Sequence, residues 1–259
     1  HLYIKELASE EIYRYFEQQF EFADFPNNKQ ITVEHYFDEK EKKEYLLVNS
    51  MYGRRVNDAL SRAIGYLMGQ KIKRDVEIGI SDKGFYFSGF SSSGLESENP
   101  LELLKQVLGE ITSKNLEDIL KKAIEKTDIL TRRFRHCATR SLMILRSYKG
   151  RKKNVKRQQM KSHFLISAIK KISQEFPILN EAKREVLEDL MDLRNASRVV
   201  DWLNNKKLKV SYKKVKIPSP FSLGLLLQSH MDLMKIEDKQ EFLKRMHEVY
   251  VEEIGKKSD

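Results

Sequence analysis

The chain has 259 residues, 40% of them hydrophobic, and a formal net charge of +10, which is typical of a soluble globular protein rather than a disordered chain. Its single cysteine, Cys137, excludes an internal disulfide framework and a cysteine-based zinc site. One thiol fits a reducing, intracellular setting, so we expect a cytoplasmic location. The apolar runs are far shorter than the about 18 residues that a membrane span needs, and we expect no membrane partner.

The first third of the chain mixes helix and strand patterns. Residues 8–25 predict a helix, which Pro26 ends. Strand patterns occupy 31–37, 44–50, 75–81 and 84–90. Between the two strand pairs, apolar residues recur at helical spacing through 53–70. The order β-β-α-β-β predicts an antiparallel sheet layer covered by one helix, which is an α+β arrangement.

The remainder of the chain is almost wholly helical in pattern. A Ser- and Gly-rich break at 91–100 predicts a boundary between an α+β sheet subdomain, 1–95, and a mostly α-helical subdomain, 96–259. Helices are predicted near 100–110, 115–126, 128–148, 155–175, 179–191, 194–204, 221–234 and 239–255. A short extended piece is predicted near 207–217.

The excess positive charge is concentrated in one segment. Residues 131–171 contain 14 of the 48 Lys and Arg residues and no Asp or Glu, which leaves 34 basic against 38 acidic residues elsewhere. Like charges that are crowded together repel one another, so such a segment is usually matched by a partner of opposite sign. A nucleic acid is the commonest partner of this kind.

The predicted helix at 128–148 has two distinct faces. At 100° per residue, one arc holds Arg132, Arg133, Arg135, His136, Arg140 and Arg146. The opposite arc holds Leu130, Phe134, Cys137, Ala138, Ser141, Leu142, Ile144 and Leu145, and is predicted to face the core. The planar arginine side chain suits bidentate contacts with phosphate. We therefore predict a nucleic-acid-binding face formed by Arg132, Arg133, Arg135, His136 and Arg140.

Two neighbouring features extend this predicted site. Gly150 is expected to lead from the helix into a basic loop, and the loop and the next helix add Tyr148, Lys149, Arg151, Lys152, Lys153, Lys156 and Arg157. Tyr148 is a candidate for stacking on a base. Arg54 and Arg55 follow Gly53 at a strand-to-helix turn, where a helix N-terminus can receive a phosphate.

Other interpretations of the charged residues stay open. The arginine face could be solvated, or neutralised by acids from the 181–192 region. That region carries Glu181, Glu185, Glu188, Asp189 and Asp192. These acids could form the site of a free-standing metal-dependent nucleic-acid-processing enzyme, although we expect an exposed acidic face. The basic face could instead belong to an adaptor that binds an acidic protein. The sequence contains no P-loop, dinucleotide, zinc-protease or nucleophile-elbow motif, so we predict no catalytic residue and no metal site.

Four ordered blocks resemble a known family. They are "YGRRVNDALSRAIGYLMG" (52–69), "RRFRHCATRSLMILRSYKGRKK" (132–153), "EAKREVLEDLMDL" (181–193) and "SPFSLGLLL" (219–227). The chain resembles the DEAD/H-associated domain of the large helicase-related (Lhr) superfamily 2 helicases, with the archaeal members most similar.

The resemblance implies an accessory domain that lies C-terminal to RecA-like motor and winged-helix domains of the same parent protein. It implies that this domain guides single-stranded DNA or RNA next to the motor during ATP-dependent 3′-to-5′ unwinding. ATP and Mg²⁺ would then bind the motor, and no cofactor is expected in this chain.

Overall fold

The fold is built on a mixed sheet, seen here in a computed structural model that describes residues 6–39, 41–90, 99–125, 127–173, 175–231 and 244. The strands are β1 Gln30–Asp38, β2 Lys43–Asn49, β3 Glu77–Ile80, β4 Gly84–Ser88, β5 Ser147–Tyr148, β6 Arg151–Lys152 and β7 Lys209–Val215. The sheet has the order β3-β4-β2-β1-β7, and β5 and β6 form a separate hairpin. Neighbouring strands of the sheet are antiparallel except β1 and β7, which run parallel.

The predicted α+β class is confirmed, and the parallel pairing of β7 with β1 is the feature that the sequence did not predict. The extended piece expected near 207–217 pairs with β1, with Val33 opposite Tyr212, so the sheet is mixed rather than purely antiparallel. Parallel strands need a long crossover connection because the chain must return to the same end of the sheet. The helical part of the chain between β4 and β7 supplies that crossover.

Helix α2, Arg54–Ile72, covers one face of the sheet. Its buried side chains include Val56, Ala59, Leu60, Ala63, Ile64 and Met68, at the spacing predicted from the sequence. They belong to one hydrophobic core with Leu46, Val48, Phe85 and Phe87 of the sheet. Gly65 allows the close approach, since a Cβ at this position would lie 2.6 Å from Cδ1 of Ile78.

Helices α1, Glu6–Phe22, and α9, Pro220–Met231, are fixed to one another and to the sheet by buried polar contacts. The Glu34 carboxylate accepts hydrogen bonds from the backbone N–H of Ser219, at 2.8 Å, and from its hydroxyl. Burial raises the pKa of Glu34 despite these bonds. The Gln19 side chain accepts a hydrogen bond from the backbone N–H of Phe221 at 2.9 Å. A smaller apolar cluster that includes Tyr36, Tyr45, Leu225 and Leu226 completes this part of the molecule.

The remaining helices share the core of the sheet. They are α3 Pro100–Glu110, α4 Leu116–Ile124, α5 Asp128–Arg140, α6 Val155–Ile172, α7 Pro177–Arg184 and α8 Leu193–Asn204, with a π-helical turn, Glu185–Leu190, directly after α7. One hydrophobic core runs from Ile31 in β1 to Leu208 before β7. The predicted subdomain boundary at 95 lies outside the described residues, as does the predicted helix at 239–255 apart from residue 244. Among the described helices, none is long and apolar enough to span a membrane.

Candidate nucleic-acid interface

Helix α5 places the predicted arginine face toward the surface. Leu130, Phe134, Cys137 and Ala138 are buried, in agreement with the predicted core arc. Arg132, His136 and Arg140 are exposed, while Arg133 and Arg135 are half-buried. The helix packs against α6, α7 and the π-helical turn. The arginines are therefore carried by a helix that the core holds in place.

The prediction that this helix continues to residue 148 is wrong. Helix α5 ends at Arg140, and Leu142 adopts a left-handed backbone conformation with φ of 61°. The N–H of Ile144 then donates to the carbonyl of Ala138 at 2.9 Å, which turns the chain back and buries the Ile144 side chain. Ser141, Leu142 and Leu145, which the helical wheel assigned to the core, are exposed because they follow the end of the helix, and Arg146 lies beyond it.

A buried carboxylate binds two of the arginines. Glu185, at the start of the π-helical turn, is only 4% exposed. One of its carboxylate oxygens lies 3.5 Å from a guanidinium nitrogen of Arg133, and the other accepts a hydrogen bond from Arg140. Neutralisation by this acidic region was one of the open interpretations of the sequence, but an exposed acidic face was expected. A buried carboxylate is stable only when it is paired, so Glu185 and the two arginines form one structural unit.

The basic loop after α5 is a tight hairpin of β5 and β6. Lys149 and Gly150 form its two-residue turn and have φ angles of 48° and 74°, as a type I′ turn requires. The N–H of Lys153 extends the pairing by donating to the carbonyl of Arg146 at 2.8 Å. Lys149, Arg151 and Lys152 are exposed. The Tyr148 side chain, a predicted stacking group, lies outside the described part of the structure.

Helix α6 begins with further cations. The Asn154 side chain caps the helix by accepting a hydrogen bond from the N–H of Lys156 at 2.9 Å. Lys156, Arg157 and Lys161 are exposed, and the first turn contains no acid. Cations at a helix N-terminus are repelled by the helix dipole, which favours a negative group there. A bound phosphate would remove that repulsion.

The pKa of His136 depends on the positive charge of this surface. Burial, followed by the charges of Arg135, Arg133, Arg146 and Arg140, lowers the pKa of its imidazole. An arginine N–H group of Arg135 lies 3.4 Å from His136 Nε2. Four guanidinium groups therefore act together at this point of the surface, and they disfavour the protonated form of the imidazole.

Arg54 and Arg55 both make contacts within the chain. An Arg54 N–H group donates to the carbonyl of Ile80 at 3.2 Å. Arg55 donates to the carbonyls of Glu188 and Met191, the latter at 3.0 Å. Arg55 therefore caps the end of the π-helical turn that carries Glu185. Both arginines were predicted from the sequence as phosphate ligands, and no sequence signal indicated this structural contact.

Four of the five acidic residues at 181–192 contact basic side chains or backbone groups, namely Glu181, Glu185, Glu188 and Asp192. Arg184 forms ion pairs with Glu181 at 2.7 Å and Glu188 at 2.8 Å, and Asp192 caps α8 by accepting from the N–H of Asn195 at 3.0 Å. In the described part of the chain, no group of three or more His, Cys, Asp or Glu residues is arranged to hold a metal ion. Burial and Glu185 raise the pKa of Cys137 to about 11, so this thiol is a poor nucleophile.

Known proteins are similar to this chain in sequence. ATP-dependent helicases named Lhr-Core are similar over nearly the whole chain, with 41% identity to that of Methanothermobacter thermautotrophicus over 98% of this chain and 38% to that of Saccharolobus solfataricus over 96%. The chain spans 28% of the length of each of these two helicases.

A solved structure shares the fold. The Mycobacterium smegmatis helicase Lhr, solved with single-stranded DNA and AMP-PNP, superimposes with a TM-score of 0.72 and 24% identity over 85% of this chain and 27% of that one. The family model described as DEAD/H associated matches residues 25–222, which is most of the chain. The four blocks that suggested this resemblance lie within or overlap that range. The chain therefore belongs to the DEAD/H-associated family.

Proposed function

We propose that this chain is the nucleic-acid-binding accessory domain of an ATP-dependent 3′-to-5′ helicase. Its binding surface comprises the exposed face of α5, the β5–β6 hairpin and the first turns of α6, and we refer to it as the basic surface. It guides a single strand next to RecA-like motor and winged-helix domains in another part of the parent protein. ATP and Mg²⁺ bind the motor in this proposal.

The observation that carries the proposal is the clustering of positive charge on packed elements. Helices α5 and α6 pack against each other, and the hairpin connects them, so the basic residues of the α5 face, the hairpin and the first turns of α6 lie in one region. Arg132, Arg151 and Lys152 are exposed and have no ion-pair partner among the described residues. Uncompensated cations on a rigid surface are the usual means of binding a phosphate backbone.

Exposed apolar side chains support a place inside a larger protein. On α6, Met160 is 58% exposed and Phe164 is 72% exposed, although both are large and apolar. Leu142, just after α5, is 74% exposed. Apolar groups next to a charged surface are typical of a contact with another domain. The motor or winged-helix domain of the parent protein is the partner that we propose for them.

Binding of labelled single-stranded DNA, measured by fluorescence anisotropy at several salt concentrations, tests the proposal. Single-stranded DNA is the first ligand to use because the M. smegmatis relative was solved with it. If about five cations contact phosphates, log K should fall with log[salt] with a slope of about −3.5. A polyacidic peptide of matched charge provides the control for simple charge attraction. A salt-independent affinity, or tighter binding to the peptide, would contradict the proposal and favour an adaptor of acidic proteins.

A further inference from the structure

A cleft outside the basic surface has the dimensions and lining of a site for a flat ring. It lies between the residues before β1, the start of α2 and α8, and its volume is about 520 Å³. Small-ligand sites usually enclose about 300–1,000 Å³. Tyr52 and Trp202 line it with their rings, whose centroids are 6.2 Å apart and whose planes are tilted by 49°. Trp202 is 40% exposed, so part of the indole is available to a ligand.

The rim of this cleft is cationic. Lys29, Arg198 and Lys207 line it, against Asp192 as the one acid among its described lining residues. The Asp192 carboxylate is already occupied, since it accepts hydrogen bonds from the backbone and the side chain of Asn195 at 3.0 and 2.7 Å. The side chains of Lys29 and Lys207 have no ion-pair partner in the part of the chain that the structure describes. The cleft thus combines an aromatic wall with cations that are available to an anionic ligand.

Hydrogen bonds and packed elements connect the cleft to the basic surface. Tyr52 directly precedes the turn that carries Arg55, and the N–H of Asp192 donates to the carbonyl of Arg55 at 3.3 Å. Arg55 in turn caps the π-helical turn that positions Glu185 against Arg133 and Arg140. One contiguous set of packed elements therefore carries both the arginines and the aromatic cleft.

We propose that this cleft holds a nucleobase of the single strand, stacked on the Trp202 indole, while Lys29, Arg198 and Lys207 contact the neighbouring phosphates. An aromatic platform next to cations is the arrangement by which proteins bind single strands with little sequence preference. This inference rests on the proposed function for the identity of its ligand, and it adds a second contact point for the strand that lies outside residues 131–171.

The fluorescence of Trp202 tests the inference directly, because it is the only tryptophan of the chain. The 259-residue chain is titrated with oligothymidylate, with an abasic oligonucleotide of the same length and charge, and with thymidine monophosphate. Binding of both oligonucleotides is followed separately by anisotropy. We expect oligothymidylate to quench Trp202 and the abasic strand to bind without quenching. We expect the monophosphate to quench only at far higher concentration.

Substitution of Trp202 gives the second measurement. Trp202→Ala should weaken binding of oligothymidylate about fivefold to a hundredfold, the range that base–aromatic stacking implies, and Trp202→Phe should retain most of the affinity. Phe20→Ala is the matched control, since Phe20 is an aromatic residue of α1 that is 78% exposed and does not line the cleft. The thermal midpoint of each variant shows whether it is folded, and the fluorescence of the unsubstituted chain decides the question if Trp202→Ala does not fold.

The outcomes separate the two proposals. Salt-dependent binding of oligothymidylate without quenching overturns the cleft proposal and leaves the proposed function intact. Quenching by thymidine monophosphate at the same low concentration as by the oligonucleotide assigns the cleft to a free nucleotide and overturns the proposal for a strand. Absence of any oligonucleotide binding overturns the proposed function, and the cleft proposal with it.

Discussion

The arginines of α5 and the basic residues of the β5–β6 hairpin are all positively charged, but the fold holds them in different ways. On α5, Arg133 and Arg140 share the buried carboxylate of Glu185, and the helix beneath them is anchored by Phe134 and Ala138. On the hairpin, Arg151 and Lys152 are exposed, and their backbone is held by a two-residue turn. Two charges of the first region are thus paired with a buried carboxylate, whereas the charges of Arg151 and Lys152 have no such link to the core among the described residues.

This difference indicates that the two groups of basic residues have different roles. A guanidinium that is oriented by a fixed carboxylate can hold a phosphate in one position, because its side-chain freedom is already restricted. An exposed lysine or arginine on a hairpin acts as a mobile charge, which increases affinity without defining the position of the strand. We therefore expect substitutions on α5 to affect both stability and binding, and substitutions on the hairpin to affect binding alone.

The largest expected effect is on stability, from Glu185→Ala. The substitution leaves Arg133 and Arg140 without their buried partner and creates a small cavity under α5. Because both arginines are partly exposed and can be rehydrated, we expect a loss of about 1–3 kcal/mol in the free energy of unfolding, below the about 3–5 kcal/mol of a fully buried pair. Urea denaturation measures this change.

Glu188→Ala is the matched control for that substitution. Glu188 lies three residues later in the same π-helical turn, but its ion pair with Arg184 is exposed, so its loss should change stability by less than about 0.5 kcal/mol. Equal losses in the two variants would show that the Glu185 pairs contribute no more than surface ion pairs, and the distinction between the two basic regions would fail.

The helices and strands were more predictable from the sequence than the contacts between residues that lie far apart in the chain. The period of Val56, Leu60 and Ile64 was enough to place α2, because side chains three and four residues apart share one face of a helix. The parallel pairing of β7 was not accessible, since it joins residues almost 180 positions apart in the chain. For the same reason, the 181–192 acids could be named as possible partners of the arginines, but Glu185 could not be singled out as buried.

The end of α5 shows a second limit of the sequence. Apolar and basic residues keep their helical spacing through Leu145 and Arg146, so periodicity alone predicts a longer helix. The left-handed conformation of Leu142 has no sequence signal, because glycine or asparagine usually occupies that position. Burial of Ile144 is the tertiary contact that outweighs the local preference.

A smaller effect, confined to binding, is expected from the hairpin double substitution Arg151→Ala and Lys152→Ala. If each side chain contacts one phosphate, the slope of log K against log[salt] should become shallower by about 1.4, with no change in urea midpoint. Lys114→Ala with Lys122→Ala removes the same charge from exposed positions outside the basic surface and should leave the slope unchanged. A lower urea midpoint in the hairpin variant, or equal slopes in the two variants, would contradict the mobile-charge role of the hairpin.

The smallest effect is a pH dependence that arises from His136, at the centre of the α5 arginines. Burial and the neighbouring guanidinium charges lower its pKa in the free protein, so the folded chain binds this proton less readily than the unfolded chain does. The contribution of His136 to stability is therefore present above the unfolded value of about 6.5 and is lost as the pH falls from there toward the folded pKa.

A strand that binds the arginines should shift the pKa of His136 in the opposite direction. Its phosphates bring negative charge next to the imidazole and raise the pKa, so binding takes up a proton. Affinity for single-stranded DNA should then increase, by about threefold, as the pH is lowered from neutrality toward the pKa of His136 in the free protein, since one proton permits at most tenfold per pH unit. His136→Gln should remove this increase, whereas His163→Gln, at an exposed position of α6, should retain it. An identical pH profile in His136→Gln and the unsubstituted chain would show that the phosphates do not approach His136. The strand would then lie over the hairpin and α6, and the α5 arginines would act mainly through their contact with Glu185.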